Sequence, residues 1–179
     1  MRVVGGSRGG RTLVAPRGMR TRPTSDRVRE AVFSILGAVD GLRVLDLFAG
    51  SGAMAIESLS RGAAEATLVD SSSGSIGAIR RNLEALGLEA NVVHQRAEPF
   101  LQRARRDGRQ YDLVFVDPPY RRASSLSERL SAALAPVLAP GARVVAESDR
   151  REPLELELPP VDRRRYGDTL ILIFHVPTR

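Results

Sequence analysis

The chain has 179 residues, 42% of them hydrophobic, and a formal net charge of +6. That length suits one domain with a full core and is short for two. It has no cysteine and only two histidines, His94 and His175, which excludes disulfide and thiolate chemistry and leaves no ordinary zinc-ligand set.

No apolar run approaches the ~20 residues of a membrane span. The Arg- and Gly-rich start has no apolar signal core, so the expectation is a cytoplasmic protein without a metal. All 27 basic residues are arginine, and they are unevenly placed. Residues 1–29 carry eight arginines against one acid, Asp26, giving +7, while the rest carries nineteen arginines against twenty acids, giving −1. A block of arginine on one segment is the footprint of polyanion binding, because guanidinium forks pair with phosphates and stack on bases.

In chain order, residues 2–4 and 11–14 are strand-like runs around Gly5-Gly6-Ser7-Arg8-Gly9-Gly10, expected as a hairpin with a flexible glycine tip. A helix over 25–36 follows, with Val28, Val32, Ile35 and Leu36 on one face and Gly37 as its stop. From Arg43 strands and helices alternate: strands at 44–48, 66–69, 91–93, 111–116 and 142–146, helices at 53–61, 74–86 and 97–106. A further helix holds Leu126, Leu130 and Leu134, opened by a capping box of Ser125 and Glu128. Residues 154–158 and 169–176 predict two last strands with no helix between them. Apolar strands alternating with helices imply α/β architecture with a parallel sheet covered on both faces, and the last pair implies an antiparallel edge hairpin. The boundary between basic arm and domain falls near 37–42, dividing the chain into 1–38 and 39–179.

Three constellations carry chemistry. Asp46-Leu47-Phe48-Ala49-Gly50-Ser51-Gly52 ends the first strand of the repeat, where open α/β sheets take ligands. Its glycines allow close backbone approach, and the next helix offers free N–H groups. Asp70, at the end of the next strand, suits a ribose diol; this pair of features serves NAD as well as S-adenosylmethionine. Phe115-Val116-Asp117-Pro118-Pro119-Tyr120 is the discriminating one. Two prolines stiffen the turn and remove two donors, leaving free carbonyls beside a carboxylate and an aromatic ring. Such a rigid acceptor cluster suits an amino group on a planar base: Asp117 and the Pro118 carbonyl accept its N–H groups and Tyr120 stacks.

Asp117-Pro118-Pro119-Tyr120 resembles the motif of amino-methyltransferases. Together with Arg2-Val3-Val4-Gly5-Gly6, Gly10-Arg11-Thr12-Leu13 and the segment from Thr21-Arg22-Pro23-Thr24 to Phe33, the chain is similar to the RsmD-type 16S ribosomal RNA guanine-N2 methyltransferases over nearly its whole length. The resemblance implies a Rossmann-like class I methyltransferase sheet of seven strands, S-adenosylmethionine as methyl donor, and the exocyclic N2 amino group of a 16S guanine as acceptor. It places Asp46, Phe48, Gly50 and Gly52 against the donor, Asp70 on its ribose and Ala97 near its adenine. Asp117, Pro118, Pro119 and Tyr120 would form the catalytic pocket. Arg8, Arg11, Arg20, Arg22 and Thr24 would contact RNA, within a small-subunit particle or its assembly intermediate, and the protein would act as a monomer. Arg96 departs from the Asp or Asn usual beside the adenine, with Glu98 as a substitute. The competing expectations are a DNA adenine-N6 methyltransferase and a non-catalytic RNA-binding assembly factor of the same fold.

Overall fold

The computed structural model describes residues 1–16, 24–119 and 123–178. Seven strands form one sheet: β1 (Arg43–Leu47), β2 (Glu65–Asp70), β3 (Asn91–His94), β4 (Tyr111–Val116), β5 (Leu138–Asp149), β6 (Pro160–Tyr166) and β7 (Thr169–His175). Their spatial order is β3-β2-β1-β4-β5-β7-β6. The first five run parallel, and β7 is antiparallel to both β5 and β6. Helices α1 (Asp26–Leu36), α2 (Ala53–Ser60), α3 (Ser73–Leu86), α4 (Ala97–Arg106) and α5 (Ala123–Leu134) complete the fold.

Alternation along each strand divides the core into two layers. Val44, Leu68, Leu113, Phe115, Val145, Ile171 and Ile173 face one side with apolar residues of α1, α2 and α3. Leu45, Leu47, Val69, Val114, Val116, Val144, Leu170 and Leu172 face the other with α4 and α5. At the opening ends of β1 and β4, the Arg43 fork sits on Asp112, with Nε and Nη2 each donating at 2.9 Å. Strand order reverses between β1 and β4, so a crevice opens beyond their carboxyl ends.

The N-terminal segment is built into this domain. Arg2 and Thr12 form an antiparallel bridge, and Val3 and Leu13 are buried in the α1–α2–α3 layer. The glycine tip expected to be flexible is instead a 3-10 turn, Gly6–Arg8. Glu57 on α2, fully buried, accepts the Val4 and Gly5 amides at 2.6 and 2.7 Å, and Ser60 Oγ takes the Arg8 amide at 2.9 Å.

Four other expectations change. Ile35 points to solvent; the buried stripe of α1 is Val28, Arg29, Val32, Phe33 and Leu36, which is the better helical spacing. Residues 154–158 are coil: Leu154 and Leu156 are buried, but backbone amides there go to side chains, Leu154 N to Ser148 Oγ and Glu157 N to Ser131 Oγ. The edge strand is β6, six residues later than expected. Helix α5 starts at Ala123, two residues before the expected capping box at Ser125.

Candidate active site

The crevice is a cleft of about 590 Å³, its open mouth included, at the carboxyl ends of β1, β4 and β5. Its floor is the turn after β1. Phe48 there takes a left-handed φ of 61°, rare for an aromatic, and Gly50 and Gly52 follow at 57° and 79°. A Cβ on Gly52 would meet the Leu68 side chain at 2.8 Å, and the left-handed backbone there adds strain for other residues, so both favour glycine. The loop is tied from both sides. Asp70, at the end of β2, accepts the Gly50 amide at 2.9 Å through Oδ2 and the Ser72 amide at 2.8 Å through Oδ1. Asn82 of α3 donates to the Ser51 carbonyl at 2.9 Å and pairs in both directions with the backbone of Val14.

Three carboxylates converge on the cleft from adjacent strands. Asp46 is 4% exposed; its carboxyl accepts the Ala55 amide at 3.2 Å. Burial, then the charge of Asp70, pushes its pKa up to about 7 against the pull of that amide. Asp117 follows β4. Its surface opens to the cleft, yet protein crowds its other sides, and that desolvation, then the charges of Glu147 and Asp46, lift it well above the ordinary range. Glu147 on β5 is 7% exposed and raised by burial, while the Thr24 hydroxyl, donating to Oε2 at 2.5 Å, and the Arg29 cation oppose the rise.

Arg29 on α1 braces Thr24, a lining residue of the cleft. It is fully buried, with Nη1 donating to the Thr24 carbonyl at 2.9 Å and Nη2 to Asp26 at 3.0 Å and to the Arg2 carbonyl. It therefore fixes the backbone of the residue whose hydroxyl grips Glu147. Arg29 and Glu147 were not among the expected site residues. Both left a trace in the sequence: a charge at helical spacing among Val28, Val32, Phe33 and Leu36, and an acid at the carboxyl end of an apolar strand.

Of the expected site residues, Asp46, Phe48, Gly50, Asp117 and Thr24 line the cleft, joined by Met1, Ser51 and Glu147. Pro118 is buried and Pro119 exposed beside Asp117. Asp70 and Gly52 support the floor from behind. Ala97 is the first residue of α4, outside the lining, and Glu98 is held by Arg129 at 2.5 Å. Tyr120, Arg20 and Arg22 lie outside the described residues. Arg8 and Arg11 are outside the lining: their guanidinium groups donate to the Leu86 and Ala85 carbonyls at the last turn of α3, at 2.8 and 3.2 Å. Among the described residues no cluster of three metal-ligating side chains exists, and no helix is long and apolar enough to cross a membrane.

A sheet of this order, with its last-placed strand pair antiparallel and a glycine turn beside a carboxylate at β1, is the Rossmann-like class I methyltransferase fold. The chain belongs to the family described as conserved hypothetical protein 95, which matches residues 1–175 and is the family of the RsmD-type methyltransferases. The Bacillus subtilis protein YlbH is 40% identical over 89% of this chain and 86% of its own length. The Ribosomal RNA small subunit methyltransferase D of Escherichia coli is 43% identical over 68% of this chain and 61% of its own. The solved structure of yhhF from Escherichia coli superposes with a TM-score of 0.85 at 33% identity, covering 100% of this chain and 99% of that one.

Proposed function

We propose that the chain methylates the exocyclic N2 amino group of a guanine in small-subunit ribosomal RNA, with S-adenosylmethionine as donor. The observation that carries this reading is the meeting of Asp117, which opens the stiff two-proline corner, with Asp46 and the Phe48-to-Ser51 turn in one cleft. The kinship with a ribosomal RNA methyltransferase supports the substrate class.

The residues fit the donor. S-adenosylmethionine carries an ammonium and a sulfonium, and the cleft holds Asp46 and Asp117, carboxylates raised by burial and by neighbouring negative charge, which a cation would relieve. Asp46 and the turn through Gly50 would hold the methionine end, and Asp70 the ribose. When bound, the donor supplies an electrophilic methyl group on positively charged sulfur.

The chain's own groups must then make an aromatic amine nucleophilic. Its lone pair is delocalised into the ring. Acceptors that take its N–H bonds favour a tetrahedral nitrogen and free that pair; in this reading Asp117 and the Pro118 carbonyl would be those acceptors. The nitrogen pair forms the new N–C bond as the methyl–sulfur bond breaks, with that bond's electrons staying on sulfur. One N–H proton must leave, and Asp117, whose carboxyl is made more basic than usual by burial and the neighbouring carboxylates, is a competent acceptor. It also supplies negative potential where positive charge develops on nitrogen. The rest is in-line placement. A paired base cannot reach the cleft, so the target is unpaired or flipped out.

Asp117→Ala tests the assignment. Turnover on unmethylated small-subunit RNA or particles should fall by about 10²–10⁴-fold, while affinity for S-adenosylmethionine in calorimetric titration stays within a few-fold. Wild-type turnover in the variant refutes the role.

A further inference from the structure

Asp117 and Glu147 are neighbours across the β4–β5 pairing. Val116 is in register with Ala146, so the next residues stand side by side, about 5 Å apart in the strand-pairing direction. Phe115 and Val145 precede them on the same face, and all four line the cleft. The amine already has its acceptors in the proposed reading, Asp117 and the Pro118 carbonyl. A second carboxylate, taken 93% out of solvent and still directed at the cleft, needs another explanation, because burying it costs free energy that only a partner recovers. Thr24 occupies Oε2, and among the described residues no partner donates to Oε1. Thr24 is itself set by Arg29, so the carboxylate is held in one orientation.

We infer that Glu147 is the residue that selects guanine: Oε1 accepts the N1–H of the base while Asp117 accepts an N2–H. The Watson–Crick edge of guanine presents these two donors side by side. Adenine presents an acceptor, N1, beside its amino group, and a fixed carboxylate repels it. Two parallel acceptors thus match one purine and reject the other, and a site built to hydrogen-bond an N–H discriminates strongly against an analogue lacking it. The inference rests on the guanine reading above and adds to it the group that enforces the choice.

The test compares two acceptors: the RNA that the wild-type enzyme methylates, prepared with guanine or with 2-aminopurine at the methylated position. The analogue keeps the 2-amino group but has an unprotonated N1. Wild-type enzyme should prefer guanine by at least about 100-fold in kcat/KM. In Glu147→Gln, whose amide presents either a donor or an acceptor, the preference should shrink to less than about ten-fold. The ratio on one preparation is independent of the folded fraction. If Glu147→Gln loses all turnover, the same ratio read on Thr24→Val, which frees the carboxylate to turn, must shrink too. Retention of the wild-type ratio in the variant, or near-equal wild-type rates on both acceptors, overturns the inference. Failure of the guanine reading is separate: the wild-type product would then contain no N2-methylguanine.

Discussion

Asp46 shows how the site trades stability for binding. Its carboxyl, lifted to about 7 by burial, resists ionisation in the free protein. A carboxyl with a folded pKa above its unfolded value favours folding most at low pH, and this contribution is lost as pH rises from its ordinary value of 3.8 through about 7. Asp46→Asn keeps an oxygen for the Ala55 amide and removes that burden. Its thermal midpoint at pH 8 should rise by a few degrees, since 1 kcal/mol is about 2–4 °C at this size. Donor affinity should fall at least about ten-fold, in line with a lost charge-assisted contact. In the wild type, affinity for S-adenosylmethionine should increase as pH rises through about 7, with protons released on binding; a flat calorimetric profile between pH 6 and 8 argues against Asp46 as the ammonium partner.

At the scale of elements, the N-terminal hairpin is a structural part of the methyltransferase domain. Gly6 takes a φ of +72°, and a Cβ there would lie 1.9 Å from the Ser60 carbonyl oxygen. Gly6→Ala should therefore displace the hairpin and leave the buried Glu57 carboxylate without its two amides, destabilising the fold by about 2–4 kcal/mol in urea titration; a change below about 0.5 kcal/mol would show the hairpin to be loosely held. The sequence made most elements legible. The helix at Ala97–Arg106 and strand at Tyr111–Val116 match their expected limits because amphipathic period and apolar run are local properties. Strand β6 was illegible: Pro160 to Tyr166 reads Pro-Val-Asp-Arg-Arg-Arg-Tyr, polar on both faces, since an edge strand owes its structure to ladder bonds with β7. Residues 154–158 imitate a strand by alternation, yet their leucines fill the core from a coil. At the site, the glycine turn and acceptor corner are contiguous motifs and readable. Glu147 and Arg29 matter only through contacts 123 and 5 residues away, with Thr24 between them, and such convergence leaves no contiguous motif.

At the scale of the molecule, part of the N-terminal arginine charge is engaged within the fold. The arginine excess lies within residues 1–29, but Arg8 and Arg11 are engaged at the far end of α3 and Arg29 is buried. Deleting residues 1–14 would remove Val3, Leu13 and the Glu57 partners, so truncation would report on folding before it reported on RNA. Ionic strength is the cleaner probe. If exposed arginines neutralise phosphates, log K for RNA should fall linearly with log salt concentration, by about 0.7–0.9 per phosphate contacted, whereas donor affinity should barely move. Parallel losses in both would place the arginine charge in the donor site.

If the corner after β4 presents the N2 amine of guanine to a methyl donor held at β1, purified protein incubated with S-adenosylmethionine and unmethylated small-subunit RNA or particles will yield N2-methylguanosine at a defined position by nucleoside mass spectrometry, absent with Asp117→Ala. N6-methyladenosine in its place, or no transfer to RNA by protein that binds the donor, would contradict that reading.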